Sequence, residues 1–171
     1  MILKTERLLI RKIDWSDLSV LHNIMDEETM YAWEHAYSID DVKEHIEKNL
    51  KRYIDHGIGF YTVILEETGE IIGQIGLMNS EDRISIGWII GKNYWRHGYA
   101  FEGATAFLRY GFNELNSEEI YADIRPENIS SIKLAEKLGM RQIGEYVKNY
   151  RGKDMPHNIY LIKKEEFNDK N

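Results

Sequence analysis

The sequence predicts a mixed α/β (α+β) fold: a mixed central sheet with helices on both faces, its elements in the order β-α-α-β-β-β-α-β-α-β-β. Three observations predict it. Three β-rich runs, at 60–65, 71–78 and 84–90, follow one another, and Glu66-Glu67-Thr68-Gly69-Glu70 between the first two is a hairpin turn signal. Strand, helix and strand patterns then alternate from residue 84 to 124, which implies a parallel crossover covered by a helix. Nothing divides the 171 residues, which hold two prolines, no Gly/Ser linker and no repeat. That length buries one sizeable core. Residues 1–167 are therefore read as a single domain, and 168–171 as a frayed tail.

Residues 7–13 suit a first strand. Asp14, with Asp17 three residues on, signals a helix start, and Leu18, Leu21 and Met25 continue it as a short apolar stripe. Ser38 followed by Asp41 opens a second helix. There Val42, Ile46, Leu50, Tyr53 and Ile54 recur at helical spacing until Gly57. After the three β-rich runs, Ala100, Ala104, Phe107, Leu108, Gly111 and Leu115 make a helical face. Ile120, Ala122 and Ile124 alternate as a strand. A helix over 128–138 stops at Gly139, the expected C′ position, and strands over 141–150 and 158–163 close the chain.

Composition excludes several function classes. There is no cysteine, hence no disulfide framework, thiolate nucleophile or cysteine zinc site. The six histidines show no metal-ligand spacing, so no metal is inferred. A formal charge of −7 argues against nucleic acid and favours cationic partners. No apolar run approaches the roughly 20 residues that cross a bilayer, and the start lacks the layout of a signal peptide. No membrane partner and a cytoplasmic location are the expectations.

The segment Gly91-Lys92-Asn93-Tyr94-Trp95-Arg96-His97-Gly98-Tyr99-Ala100 carries the chemistry. A strand delivers the chain to a loop that becomes a helix at a glycine. Small residues at 98 and 100 admit a ligand close to the backbone, and the free N–H groups of a first helical turn suit a pyrophosphate. Arg96 and Lys92 add local positive charge. A glycine cap with two surface cations is the plainer reading of the same residues. Gly98-x-Ala100-x-x-Gly103, with Asp123 ending the next strand, also matches a dinucleotide fingerprint. Its glycines do not directly follow the strand, however, and a hairpin meander precedes them.

The stretch Ile86-Gly87-Trp88 through Glu102, then Arg125-Pro126-Glu127-Asn128-Ile129-Ser130-Ser131 through Glu136-Lys137-Leu138-Gly139-Met140, resembles the GNAT superfamily, and more narrowly its RimJ/RimL-like branch. The likeness begins at Thr5-Glu6-Arg7-Leu8 and runs to the last strand. It implies acetyl-CoA as cosubstrate and acetyl transfer directly to an amine. It assigns backbone contacts with the pantetheine arm to Ile89, Ile90 and Gly91, and the pyrophosphate to the loop Arg96, His97, Gly98, Tyr99 and Ala100. Asn128 matches the family's asparagine that bonds the pantetheine or its neighbouring backbone, and Lys133 is a candidate for the 3′-phosphate. Ser131 matches the position where the branch places a hydroxyl near the sulfur, and is expected to protonate the leaving thiolate.

The general base stays open. Many relatives carry Glu where this chain has Ser85; Glu34, His35 and Asp123 are the other candidates. Tyr31, Trp33 and Tyr37, with Tyr146 and Tyr150 on a late strand, would suit a cationic amine beside Glu34, although core packing also explains aromatics. The acceptor-side candidates are thus Trp33, Glu34, His35, Ser85 and Tyr146. The expected function is an N-acetyltransferase acting on a primary amine: a protein N-terminus, a polyamine or another small amine. A homodimer is compatible with it. A non-catalytic acetyl-CoA sensor and a dinucleotide-binding protein are the rivals.

Overall fold

The structure, a computed structural model, describes residues 3–33, 35–80, 83–150 and 152–167. Glu34 and the expected tail at 168–171 lie outside the described residues. Strands β1 (Leu3–Lys4), β2 (Leu8–Lys12), β3 (Phe60–Leu65), β4 (Ile71–Ser80), β5 (Arg83–Ile90), β6 (Glu119–Ile124), β7 (Arg141–Tyr150) and β8 (Lys153–Lys163) form one sheet in the order β1-β2-β3-β4-β5-β6-β8-β7. Helices α1 (Leu18–Ile24), α2 (Ile39–Asp55), α3 (Tyr99–Asn113) and α4 (Ile129–Lys137) complete it. Every strand pairing is antiparallel except β5 with β6.

Adjacent residues of β4 show how the layers divide, because successive strand side chains point to opposite faces. Gln74 meets His45 of α2, with Oε1 and Nε2 2.6 Å apart. Ile75 meets α3, where a Cβ on Gly103 would lie 2.5 Å from its Cδ1. So α1 and α2 cover one face, and α3 covers the other with its buried stripe of Ala104, Phe107, Leu108 and Phe112. The hydrophobic effect drives both contacts, and the missing side chain at Gly103 sets how closely α3 can approach.

The start signals act as expected. Asp14 and Asp17 form a capping box at the turn leading into α1, and Ser38 and Asp41 form another at α2. Asp17 also does something the pattern did not announce. It is fully buried and takes both Arg11 Nη groups, at 2.8 and 2.5 Å, and the Thr62 hydroxyl at 2.7 Å. This network fastens the start of α1 to β2 and β3.

Three expectations need correction. Leu3–Lys4 adds a short edge strand before the predicted first one. The last strand starts at Lys153 instead of 158 and runs through Pro156. Before Asn158 it pairs with β7 alone, and a free edge tolerates a residue without an N–H. Ile54 is 84% exposed instead of belonging to the α2 stripe, where His45 and Asn49 are buried.

Burying His45 has a measurable consequence. Desolvation drives its pKa down to about 4, opposed by the Gln74 contact and reinforced by Arg52 and Lys48. The folded chain keeps the imidazole neutral where the unfolded chain binds a proton at the ordinary value. This contribution is therefore fully present above about pH 6.5 and lost as pH falls toward about 4, amounting to about 3 kcal/mol. Urea midpoints at about pH 7.5 and about pH 4.5 should separate by less in a His45→Gln variant than in the parent. Equal pH slopes would show that His45 is not the group responsible.

Candidate functional site

The site is built around a gap in the sheet. β5 has eight residues and β6 has six, yet their parallel ladder contains one register pair, Ser85 with Tyr121. Beyond it the strands are no longer paired. Gly91 N–H donates to Ile72 O at 2.9 Å, so the alternation of an antiparallel ladder turns the backbone of Ile89 toward β4 as well. The backbone of Trp88 and Ile90 is turned the other way, into the gap. Of the three residues expected to offer backbone contacts there, Ile90 is the one whose backbone is turned into the gap. The Ile89 backbone is turned to β4, Gly91 donates to β4 and accepts the Tyr94 N–H at 2.9 Å, and Trp88 is the other residue turned into the gap. The Ile90 carbonyl also accepts the Trp95 indole N–H at 2.6 Å, which folds the following loop back over the strand end.

That loop ends at α3 with Gly98 as N-cap in the left-handed region, φ 83° and ψ 0°. Arg96 is left-handed too, at φ 64°, a conformation that costs a non-glycine residue about 1 kcal/mol or more. No side chain caps α3, so the first-turn N–H groups lack an intrahelical acceptor and face a place suited to an anion. Arg96 is exposed and has no partner among the described residues. Lys92 instead pairs with Glu28.

Arg7 holds this loop in place, a role the sequence did not disclose. Its guanidinium donates to Glu102 Oε2 at 2.7 Å and to the His97 carbonyl at 2.9 Å, and lies 4.7 Å from the Tyr99 ring centre. Burial pushes the Glu102 carboxyl up. Bonds from the Thr5 hydroxyl and from Arg7 outweigh that and hold it below its ordinary range. The only sequence signal was Thr5-Glu6-Arg7 in the family likeness, with no partner named.

On the far side of the gap stands α4. Its N-cap is Asn128, whose Oδ1 accepts the Ser131 N–H at 3.1 Å and the Tyr31 hydroxyl at 3.2 Å. The Trp88 indole donates to Ser131 Oγ at 3.0 Å. An indole N–H only donates, so the Ser131 oxygen is the acceptor and its own hydrogen is left to point elsewhere. Lys133 lies on the exposed side of the same helix without a partner among the described residues.

The acceptor-side candidates separate. Ser85 is buried, and its Oγ has no hydrogen-bond partner among the described residues. It belongs to the α1–α2 face, since it pairs with Met78, in phase with Gln74, whereas Trp88 and Ser131 lie on the α3 face. The two serines therefore lie on opposite faces of the sheet. His35 stacks between Tyr37, at 5.5 Å, and Tyr150, at 6.1 Å. Tyr31 packs edge-on against Trp95. Trp33 is exposed at 41%, and Tyr146 stacks on His157. Tyr37 and Tyr150 thus meet through His35, while Tyr31 packs on Trp95 and Tyr146 on His157. Asp123 is held by Arg83 through both oxygens, at 2.9 and 2.7 Å. No cluster able to hold a metal occurs among the described residues, and none of the helices described is long and apolar enough to cross a membrane.

Comparisons with known proteins agree with this geometry. The chain is 34% identical over 148 residues to the uncharacterized N-acetyltransferase YnaD of Bacillus subtilis, covering 84% of this chain and 85% of the relative. The crystal structure of a GNAT-family acetyltransferase from Bacillus anthracis superposes with a TM-score of 0.83 at 31% identity, covering 97% of this chain and 100% of that one. A spermidine N-acetyltransferase from Vibrio cholerae, solved in complex with CoA and spermine, shares the fold with a TM-score of 0.76 at 24% identity, covering 94% and 97%. The family model for the acetyltransferase (GNAT) domain matches residues 7–141, a span that takes in both walls of the gap and the loop at its end. The chain belongs to the GNAT acetyltransferase family and is an acyltransferase.

Proposed function

We propose that this protein moves an acetyl group from acetyl-CoA directly to a primary amine, as a member of the RimJ/RimL-like branch. The observation that carries the reading is the gap between β5 and β6. It exposes the backbone of Trp88 and the N–H of Ile90, whose carbonyl already accepts from Trp95, to an extended ligand, and the uncapped first turn of α3 lies at its end. Pantetheine is extended and amide-bearing, and the pyrophosphate is an anion, so each part of the coenzyme meets a matching surface. The gap also opens to both faces of the sheet. The thioester sulfur would meet Ser131 on the α3 face, while an amine approaches from the α1–α2 face. Direct transfer needs that separation, because nucleophile and leaving group must reach the carbonyl without competing for one position. A backbone N–H of the splayed strand would steady the oxyanion.

The acceptor is an amine bearing positive charge at neutral pH: a polyamine, a protein N-terminus or a similar small amine. The net charge of −7 favours its approach, and a cytoplasmic location fits the cosubstrate.

Acetyl-CoA is expected to stabilise the fold by about 2.7 kcal/mol at a hundred times its Kd, and NAD and NADP by far less. Thermal melts with each nucleotide measure this. A shift with NAD and none with acetyl-CoA would sink the assignment. A panel of primary amines, followed by free-thiol release, then tests transfer. Binding of acetyl-CoA without thiol release for any amine would favour a sensor instead.

A further inference from the structure

An amine that is mostly protonated at neutral pH must lose a proton before it can attack, and the acceptor of that proton is the missing part of the site. Ser85 is a hydroxyl, not a carboxylate, and both oxygens of Asp123 are engaged by Arg83, which also lies 5.1 Å from the Tyr121 ring. His35 differs from both. Its Nε2 lies 3.3 Å from Asp41 Oδ2, and Nδ1 has no partner among the described residues. An imidazole that donates one N–H to a carboxylate is held in the tautomer whose other nitrogen keeps a lone pair.

The loop between α1 and α2 brings His35 to the acceptor side. Its base is closed by Tyr37 N–H donating to Met25 O at 3.0 Å. Its far part docks on the end of β5, where Lys92 N–H donates to Thr29 Oγ1 at 3.2 Å and Tyr31 reaches both Trp95 and Asn128. From there the loop turns to the β7–β8 hairpin, whose tip runs past the last paired residues of β6, Ile124 with Asn158. The His35–Tyr150 stack joins loop and hairpin beyond the C-terminal end of β6.

We propose that His35, oriented by Asp41, accepts the proton of the incoming amine; this rests on the acetyl-transfer reading. The ammonium form gives one proton to His35 Nδ1, and the Asp41 carboxylate balances the resulting imidazolium. The amine lone pair forms the C–N bond as the C–S bond of the thioester breaks. The excess proton on nitrogen passes to the departing thiolate by way of Ser131, and His35 returns its proton to solvent. Asp41 stays ionised throughout: the Ser38 hydroxyl bond, opposed by partial burial and helped by the Ser38 N–H and by His35, lowers it to about 2. The other titratable groups around the ring are Tyr37 on the loop, Tyr150 on β7 with Lys148 over its face at 5.1 Å, and His45, in edge contact with Tyr37.

The test is His35→Gln in the full chain. The probes are spermidine, an alanine-initiated peptide and a weakly basic aromatic amine, each with acetyl-CoA. With the basic amines, kcat/KM is expected to fall about tenfold or more, with the Kd for acetyl-CoA and the melting temperature near those of the parent. The acidic limb of the pH profile should disappear, and the loss should shrink for the weakly basic amine, which is already neutral. Asp41→Asn, which keeps the imidazole, should shift the same limb with a smaller loss; because Asp41 also accepts from Ser38 in the α2 cap, its melting temperature is read alongside. A merely structural stack predicts an unchanged pH profile and an equal loss for every amine, which overturns the assignment. If the parent binds acetyl-CoA but acetylates none of the probes, transfer to amines and the role of His35 fall together. If the parent turns over and His35→Gln keeps its profile, only His35 falls.

Discussion

Ser131→Ala is expected to lower kcat by roughly 10²–10⁴-fold, the usual worth of general acid help, while the Kd for acetyl-CoA stays close to that of the parent. The bond to a leaving thiolate exists mainly in the transition state, so its loss appears in kcat and not in ground-state affinity. The structure makes this test cleaner than the sequence alone allowed. A serine near a helix start is ordinarily suspected of capping, and removing a cap costs about 1 kcal/mol. Here the cap is Asn128, which accepts from the Ser131 backbone N–H, and alanine keeps that N–H. The substitution removes only the hydroxyl that accepts from Trp88, a loss of about 1 kcal/mol. Asn128→Ala is the comparison: it carries the capping loss with the hydroxyl in place, and loss of the amide expected to bond the pantetheine should appear in the Kd for acetyl-CoA. Steady-state kinetics, calorimetry and melting curves on the two variants separate the roles. Full turnover by a folded Ser131→Ala protein would remove Ser131 from the mechanism and leave the proton to water.

Gly98→Val is expected to weaken acetyl-CoA binding at least tenfold, equivalent to about 1.4 kcal/mol or more. Two effects add. At φ 83° a β-branched residue is strained, at a cost of about 1–3 kcal/mol in the folded state. If the chain instead relaxes to a negative φ, the first-turn N–H groups of α3 turn away from the anion. Crowding is the lesser effect, since a Cβ would meet only the end of the flexible Arg7 side chain, at 3.4 Å. Circular dichroism must accompany the calorimetry so that affinity is compared between folded proteins. Unaltered affinity in a folded variant would mean that the loop is a helix cap and nothing more.

Much of the fold was legible because local signals and global packing agree. Asp14 with Asp17, and Ser38 with Asp41, are capping boxes in sequence and in space, since a cap is satisfied within four residues. Gly139 follows the end of α4 at φ 87°, as a C′ glycine should. The start of α3 was legible for the same reason: free N–H groups arise wherever a helix starts. Ile54 shows the limit of periodicity. It fits the helical spacing, but the sheet beneath α2 offers polar partners, and His45 and Asn49 are buried there instead.

By itself the sequence determined the element order, the break from hairpin meander to strand–helix–strand, the start of α3 and the start of α4 at Asn128. Each depends on residues within a turn or two of one another. Only the tertiary structure decided which strand edge faces the gap, that Ser85 and Ser131 stand on opposite faces of the sheet, that Asp123 is already paired, and that Arg7 braces a loop some 90 positions away, donating to His97 O. These depend on register and on which strands become neighbours. A one-residue change of register exchanges every side chain between faces, and no local preference carries that information.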